Sequence, residues 1–227
     1  MIRAGAVVLG TLGTLGALVS APGVMLAQTF EGIITMRLNA TGRGAATQGQ
    51  AAMPQQMEYQ VRGGKVRVTL GGGMAGGMAM LAVPQEQKLY MLMVAQQSYM
   101  EMPMVPPQAA AAASTDDVKV TRTGRKEVVA GLTCEHVLLT PAKGEGTDMC
   151  LTTALGRYMD PMQGMRRGPA PAWQKQIADG FPLKVSLPDG SVAMEVIKVE
   201  KKRLANDLFS VPANYTKIAA PGGRPPG

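Results

Sequence analysis

The stretch Lys88–Met104, KLYMLMVAQQSYMEMPM, sets methionine at every second position of two short apolar segments. Met91 and Met93 fall on one side of the first segment, and Met100, Met102 and Met104 on one side of the second. A β-strand sends alternate side chains to opposite faces, so this spacing predicts two strands, each with a soft thioether stripe. Lys88–Val94 is apolar on its other side as well, which predicts a central strand covered on both faces.

The same alternation runs through the rest of the chain. Phe30, Ile34, Met36 and Leu38 alternate with mostly polar neighbours, as do Met57, Tyr59 and Val61, and then Val66, Val68 and Leu70. Gly63-Gly64 joins the last two runs as a tight hairpin. Further strands are expected at 78–83, 118–123, 133–139, 147–151, 183–187 and 191–199, with Pro188-Asp189-Gly190 turning the final pair. In that final strand the apolar parity moves from Val192, Met194 and Val196 to Ile197 and Val199, which predicts a bulge. About ten strands with short connections predict a mainly β fold, a curved antiparallel sheet built as a meander.

Helical signal is weak. Ala172–Ala178 fits two turns with Trp173 and Ile177 as an i, i+4 apolar pair, and 151–162 fits a second short helix ended by Pro161. These one or two short helices are expected to form a lid over the sheet. Segments 39–52, 71–77, 106–114 and 165–171 read as loops from their Gly, Ala and Pro content, and 220–227 as a disordered tail.

The N-terminus reads as an export signal, with Arg3, an uncharged apolar run from Ala4 to Ala21, and a small-residue exit at Ala27-Gln28. Residues 28–219 are then expected to form one antiparallel β domain in the periplasm or beyond. Cys134 and Cys150 flank a predicted turn at 141–144, so a hairpin brings them face to face as a structural disulfide. Closing that loop stabilises by about 3 kcal/mol on the chain-entropy model.

The net charge of +7 is scattered, and no stacking platform or recognition motif accompanies it, so nucleic acid is not an expected partner. Peripheral contact with an envelope membrane or protein fits the basic surface. His136 is the sole histidine, placed mid-strand and expected to be a partly buried, hydrogen-bonded residue. No nucleophile elbow, calcium loop or phosphate-cradling loop occurs, and one histidine with two bridged cysteines leaves too few zinc ligands. No enzyme activity, cofactor or metal is therefore expected. The leading expectation is a hydrophobic-ligand or lipid site lined by Met91, Met93, Met100, Met102, Met104, Trp173 and Ile177. A structural or envelope-assembly protein without ligand is the alternative, and a thioether Cu(I) site is third.

Several segments, in order, resemble a family of secreted bacterial proteins described as domain of unknown function 4412. They are FEGIITMRLN, MEYQVRGGKVRV, QKLYMLMVAQQSYMEMPM, TRTGRKEVVAGLTCEHVLL, DMCLTTALG and FPLKVSL with VAMEVIKVEKK. The resemblance brings no catalytic residues. More distantly, the strand order resembles the outer-membrane lipoprotein carrier superfamily, which implies a half-open barrel around a hydrophobic cavity.

Overall fold

A computed structural model describes residues 30–39, 56–71, 77–104, 118–160 and 171–219. The expected signal segment and tail lie outside these residues, as does most of each expected long loop. The strands are β1 (Gly32–Leu38), β2 (Gln56–Arg62), β3 (Lys65–Gly71), β4 (Met78–Val83), β5 (Lys88–Met93) and β6 (Ser98–Pro103). They continue as β7 (Val118–Val129), β8 (Leu132–Pro141), β9 (Thr147–Thr152), β10 (Phe181–Ser186), β11 (Val192–Lys201) and β12 (Thr216–Lys217). All twelve join one open, curved sheet in the order β12-β6-β5-β4-β3-β2-β1-β11-β10-β9-β8-β7. Every pairing is antiparallel except β12 with β6. The mainly β fold expected from the alternation is the fold observed.

Local chemistry explains the turns. Gly63 and Gly64 have φ of 55° and 77°, the paired positive values of a tight hairpin between β2 and β3. The sheet needs glycine for a different reason at Gly32, where an added Cβ would sit 2.0 Å from the Glu200 carbonyl on β11. Val129 and Leu132 close a second such hairpin around Ala130 and Gly131, with φ of 49° and 80°. β7 runs on to Val129, past the expected end at residue 123, because Lys126–Val129 resumes pairing with Leu132–Glu135 beyond an irregularity between Arg122 and Lys126.

The expected bulge in β11 is present: Thr35 pairs with Lys198 and Met36 with Val196, leaving Ile197 unpaired. It turns both Val196 and Val199 toward the core side, but Ile197, read as inward, is 39% exposed. Two other expectations are corrected. Residues 151–160 contain the end of β9, a turn and chain with no regular element, not a helix, because Thr152 still pairs with Phe181 on β10. Ala172–Ile177 is a 3-10 helix one residue shorter than the expected helix.

The sheet buries both faces at its β3–β6 end. On one face Ala79, Leu81, Val83 and Leu92 are covered by the C-terminal segment, which inserts Leu204 and Phe209. Arg67 donates to the Leu208 carbonyl at 3.1 Å, Arg62 donates to that of Leu204, and the Leu204 amide donates to Glu31 at 2.8 Å. β12 then docks on β6, where Lys217 meets Glu101 at 2.8 Å. β5 is thus central, as its two-sided apolar pattern requires.

Candidate functional site

Strand register assembles the methionines on the opposite face. Met78, Met80 and Ala82 of β4 pair with Met93, Met91 and Leu89 of β5. Those pair in turn with Ser98, Met100 and Met102 of β6. Paired residues point the same way, so six methionines of three adjacent strands share one surface. Continuing across β3, β2 and β1, the same rows run through Leu70, Met57 and Met36, and through Val68, Tyr59 and Ile34.

Burial grades along this surface. Met36, Met57, Met80 and Met91 are buried, whereas Met78, Met93, Met100, Met102 and Met104 are half-buried. Met102 and Met104 pack against the main core cluster. Unbranched thioether side chains with three rotatable bonds can repack around apolar guests of varied shape. The face offers dispersion contact and no reacting group. The Ser98 hydroxyl lies 4.0 Å from Met93 Sδ, the limit of a weak hydrogen bond.

The cover on this face comes from the segment after β9, which the sequence predicts as a short lid helix and which covers the sheet without being helical. After β9 the chain crosses Tyr59 and Phe181: Leu155 is buried, and Tyr158 stacks on Tyr59 at 5.6 Å and meets Phe181 edge-on at 5.3 Å. Trp173 and Ile177 are placed elsewhere. They pack with Val137, Leu139 and Leu151 in a separate cluster at the β7–β9 end. The structure therefore brings Met91, Met93, Met100, Met102 and Met104 together and leaves Trp173 and Ile177 apart from them. The aromatic pair Tyr59–Tyr158 had no signal beyond the alternation that put Tyr59 inward.

Cys134 and Cys150 form the disulfide, with Cα atoms 5.3 Å apart. Register places Cys150 directly opposite His136, not Cys134, so the bridge is diagonal where a face-to-face pair was expected. His136 is buried and hydrogen-bonded: Nε2 lies 3.1 Å from Glu127 and Nδ1 lies 2.9 Å from Asp148. Arg125 approaches Nδ1 at 2.8 Å and pairs with Asp148. The irregularity between Arg122 and Lys126 of β7 puts Arg125 there, with Gly124 at a φ of 73°. Lys184 holds the other Glu127 oxygen at 2.9 Å and keeps that carboxyl below the usual Glu range. Among the described residues no hydroxyl bonds either ring nitrogen; Thr123 donates to the His136 carbonyl instead. This is not the arrangement of a nucleophilic triad, which needs a hydroxyl or thiol on one ring nitrogen.

The profile described as "Domain of unknown function (DUF4412)" matches residues 30–215. The chain belongs to this family. The match agrees with the resemblance carried by the GLTCEH and DMC segments. A search of the curated proteins finds no match. Among solved structures, an uncharacterized conserved protein from Thermus thermophilus is similar at 11% identity and a TM-score of 0.46, over 86% of this chain and 93% of that one. MucB is similar at 14% identity and a TM-score of 0.38, over 83% of this chain and 59% of that one. MucB in complex with MucA(peri) gives 12% identity and a TM-score of 0.37, over 85% of this chain and 56% of that one. No helix among the described residues is long and apolar enough to cross a membrane.

Proposed function

We propose that this family member is an exported, non-catalytic protein of the bacterial periplasm that binds a lipid or other hydrophobic molecule on its methionine face. The observation that carries this reading is the graded burial of that face. Met36, Met57 and Met80 are closed under the core, whereas Met93, Met100 and Met102 of β5 and β6 are half-buried. A face built only to pack would gain more from branched residues with fixed rotamers, whereas methionine keeps a surface adaptable. Trp173 and Ile177 are left out of this site, since they pack at the other end of the sheet.

Native mass spectrometry of protein isolated from a bacterial periplasm tests the reading, together with titration of a fluorescent fatty acid. Adducts of lipid mass and saturable probe uptake are expected. Met100→Asp or Met102→Asp sets an unpaired charge against the apolar guest in place of a half-buried thioether, and weakens uptake about tenfold or more, that is by about 1.4 kcal/mol or more. Bare polypeptide with no probe uptake would reject the ligand and favour a role through protein–protein contacts.

A further inference from the structure

The geometry points to a zinc(II) site created when the Cys134–Cys150 bridge is opened, with ligands from Cys134, Cys150, His136 and Glu127. It is independent of the methionine face. Glu127, His136 and Cys150 each present one ligand atom, and those atoms already lie within 4.8 Å of one another. Tetrahedral zinc with bonds of about 2.0–2.3 Å sets its ligand atoms roughly 3.3–3.8 Å apart, so these three need shifts of about 1 Å, and the two sulfurs, covalently bonded while bridged, must move roughly 1.5 Å further from each other. The Cys134 sulfur, released from Cys150, supplies the fourth donor from the same place.

The surroundings are those a ligating imidazole requires. Asp148 and Arg125 both face Nδ1 of His136, at 2.9 and 2.8 Å, while Nε2 is turned toward Glu127 at 3.1 Å; ligation through Nε2 puts the ring proton on Nδ1, where Asp148 is the group that accepts it. A carboxylate behind a ligating histidine fixes its tautomer and ring orientation and raises its basicity. Cys134, His136 and Cys150 are buried, which shields the metal from water. Lys184 on the far oxygen of Glu127 offsets part of the negative charge that two thiolates and a carboxylate would gather. Mixed nitrogen, oxygen and thiolate donors suit borderline zinc more than a hard cation.

The chemistry balances with a dithiol as reductant. The Cys134–Cys150 bond breaks as the dithiol closes its own disulfide, and two protons and two electrons pass to the cysteines. Zinc then displaces both thiol protons to solvent and binds the thiolates. While the bridge is closed, only His136 and Glu127 remain as donors, so oxidation state gates the site.

The intact chain, reduced anaerobically with a phosphine that is then removed, is titrated with zinc and, as a spectroscopic stand-in, cobalt(II). About one equivalent is expected to bind, with the thiolate-to-cobalt charge transfer and red d–d bands of a tetrahedral site. Affinity should exceed that of the oxidised chain by about 100-fold. Asp148→Asn and Glu127→Gln should each lower it about 10–100-fold. Glu127 is partly exposed, and Glu127→Gln keeps the side-chain volume while removing the carboxylate that would bind the metal. Equal zinc affinity in both oxidation states, or cobalt spectra unchanged in Glu127→Gln and Asp148→Asn, would overturn the proposal. So would a reduced chain that loses its sheet and does not regain it with zinc.

Discussion

Tyr59 and Met159, 100 residues apart, hold each other through two hydrogen bonds. The Tyr59 hydroxyl donates to the Met159 carbonyl at 3.3 Å and accepts from the Met159 amide at 2.9 Å. Burial pushes the Tyr59 hydroxyl up, so it remains a donor across the ordinary pH range. One core side chain thus fastens the segment that crosses the methionine face. Tyr59→Phe keeps the ring contacts and strips Met159 of both partners. Leaving those groups unsatisfied costs about 1–3 kcal/mol. Calorimetry should show a fall of roughly 2–4 °C in Tm per kcal/mol lost, and an unchanged Tm would show that the two bonds hold nothing.

Phe209 is the principal anchor of the C-terminal segment on the opposite face, at 2% exposure. Phe209→Ala should destabilise by about 3–5 kcal/mol, through lost burial and the cavity left behind. The urea midpoint is expected to fall with little change in slope. A loss below roughly 1 kcal/mol would mean that the segment is held by Arg62, Arg67 and β12 alone.

Reduction of the Cys134–Cys150 bridge in metal-free buffer should cost about 3 kcal/mol, the chain-entropy value for a loop of this size. Its sequence separation of 16 makes this a local staple within one hairpin. The measurement is the Tm with and without reductant in the presence of chelator, and coincident scans would refute the staple. Adding zinc to the reduced chain should recover part of the loss.

The Glu127–Lys184 pair predicts an acid limb. Lys184 first, and then His136, lower the Glu127 pKa in the folded state. The folded form therefore releases its proton more readily than the unfolded chain. The stabilisation is present above the unfolded value of about 4.3 and is lost as pH falls through the folded value. The pair is about one-third exposed on the Glu127 side, so the contribution is about 1 kcal/mol or less. Wild type and Glu127→Gln should differ in stability at pH 7 and converge as the pH falls through the lowered folded-state pKa. A constant difference over that range would assign the effect to packing.

Much of the architecture can be read from local pattern. Alternation at 30–38, 56–70 and 88–104 gave the strands and the inward parity of the methionines, because a strand's side-chain period is fixed by backbone geometry alone. The parity change at Val196–Val199 located the bulge for the same reason, and Gly63-Gly64 marked a hairpin that only positive φ permits. The cysteine pair followed from its symmetry about a turn.

The candidate site was only half legible. Sequence alone determined that methionines would line a strand face and that Cys134 and Cys150 would meet. Tertiary structure decided which segment covers that face: Leu155–Met159 lies across Tyr59, while Trp173 and Ile177 pack against Val137 and Leu139. It also decided that His136 sits between Glu127 and Asp148, because one irregularity in β7 and a two-residue offset in β8–β9 register set which side chains meet. Local periodicity fixes the face a residue points to. The partner it finds there depends on non-local strand pairing and chain crossing, whose energies are shared among many residues and leave no single-site signature.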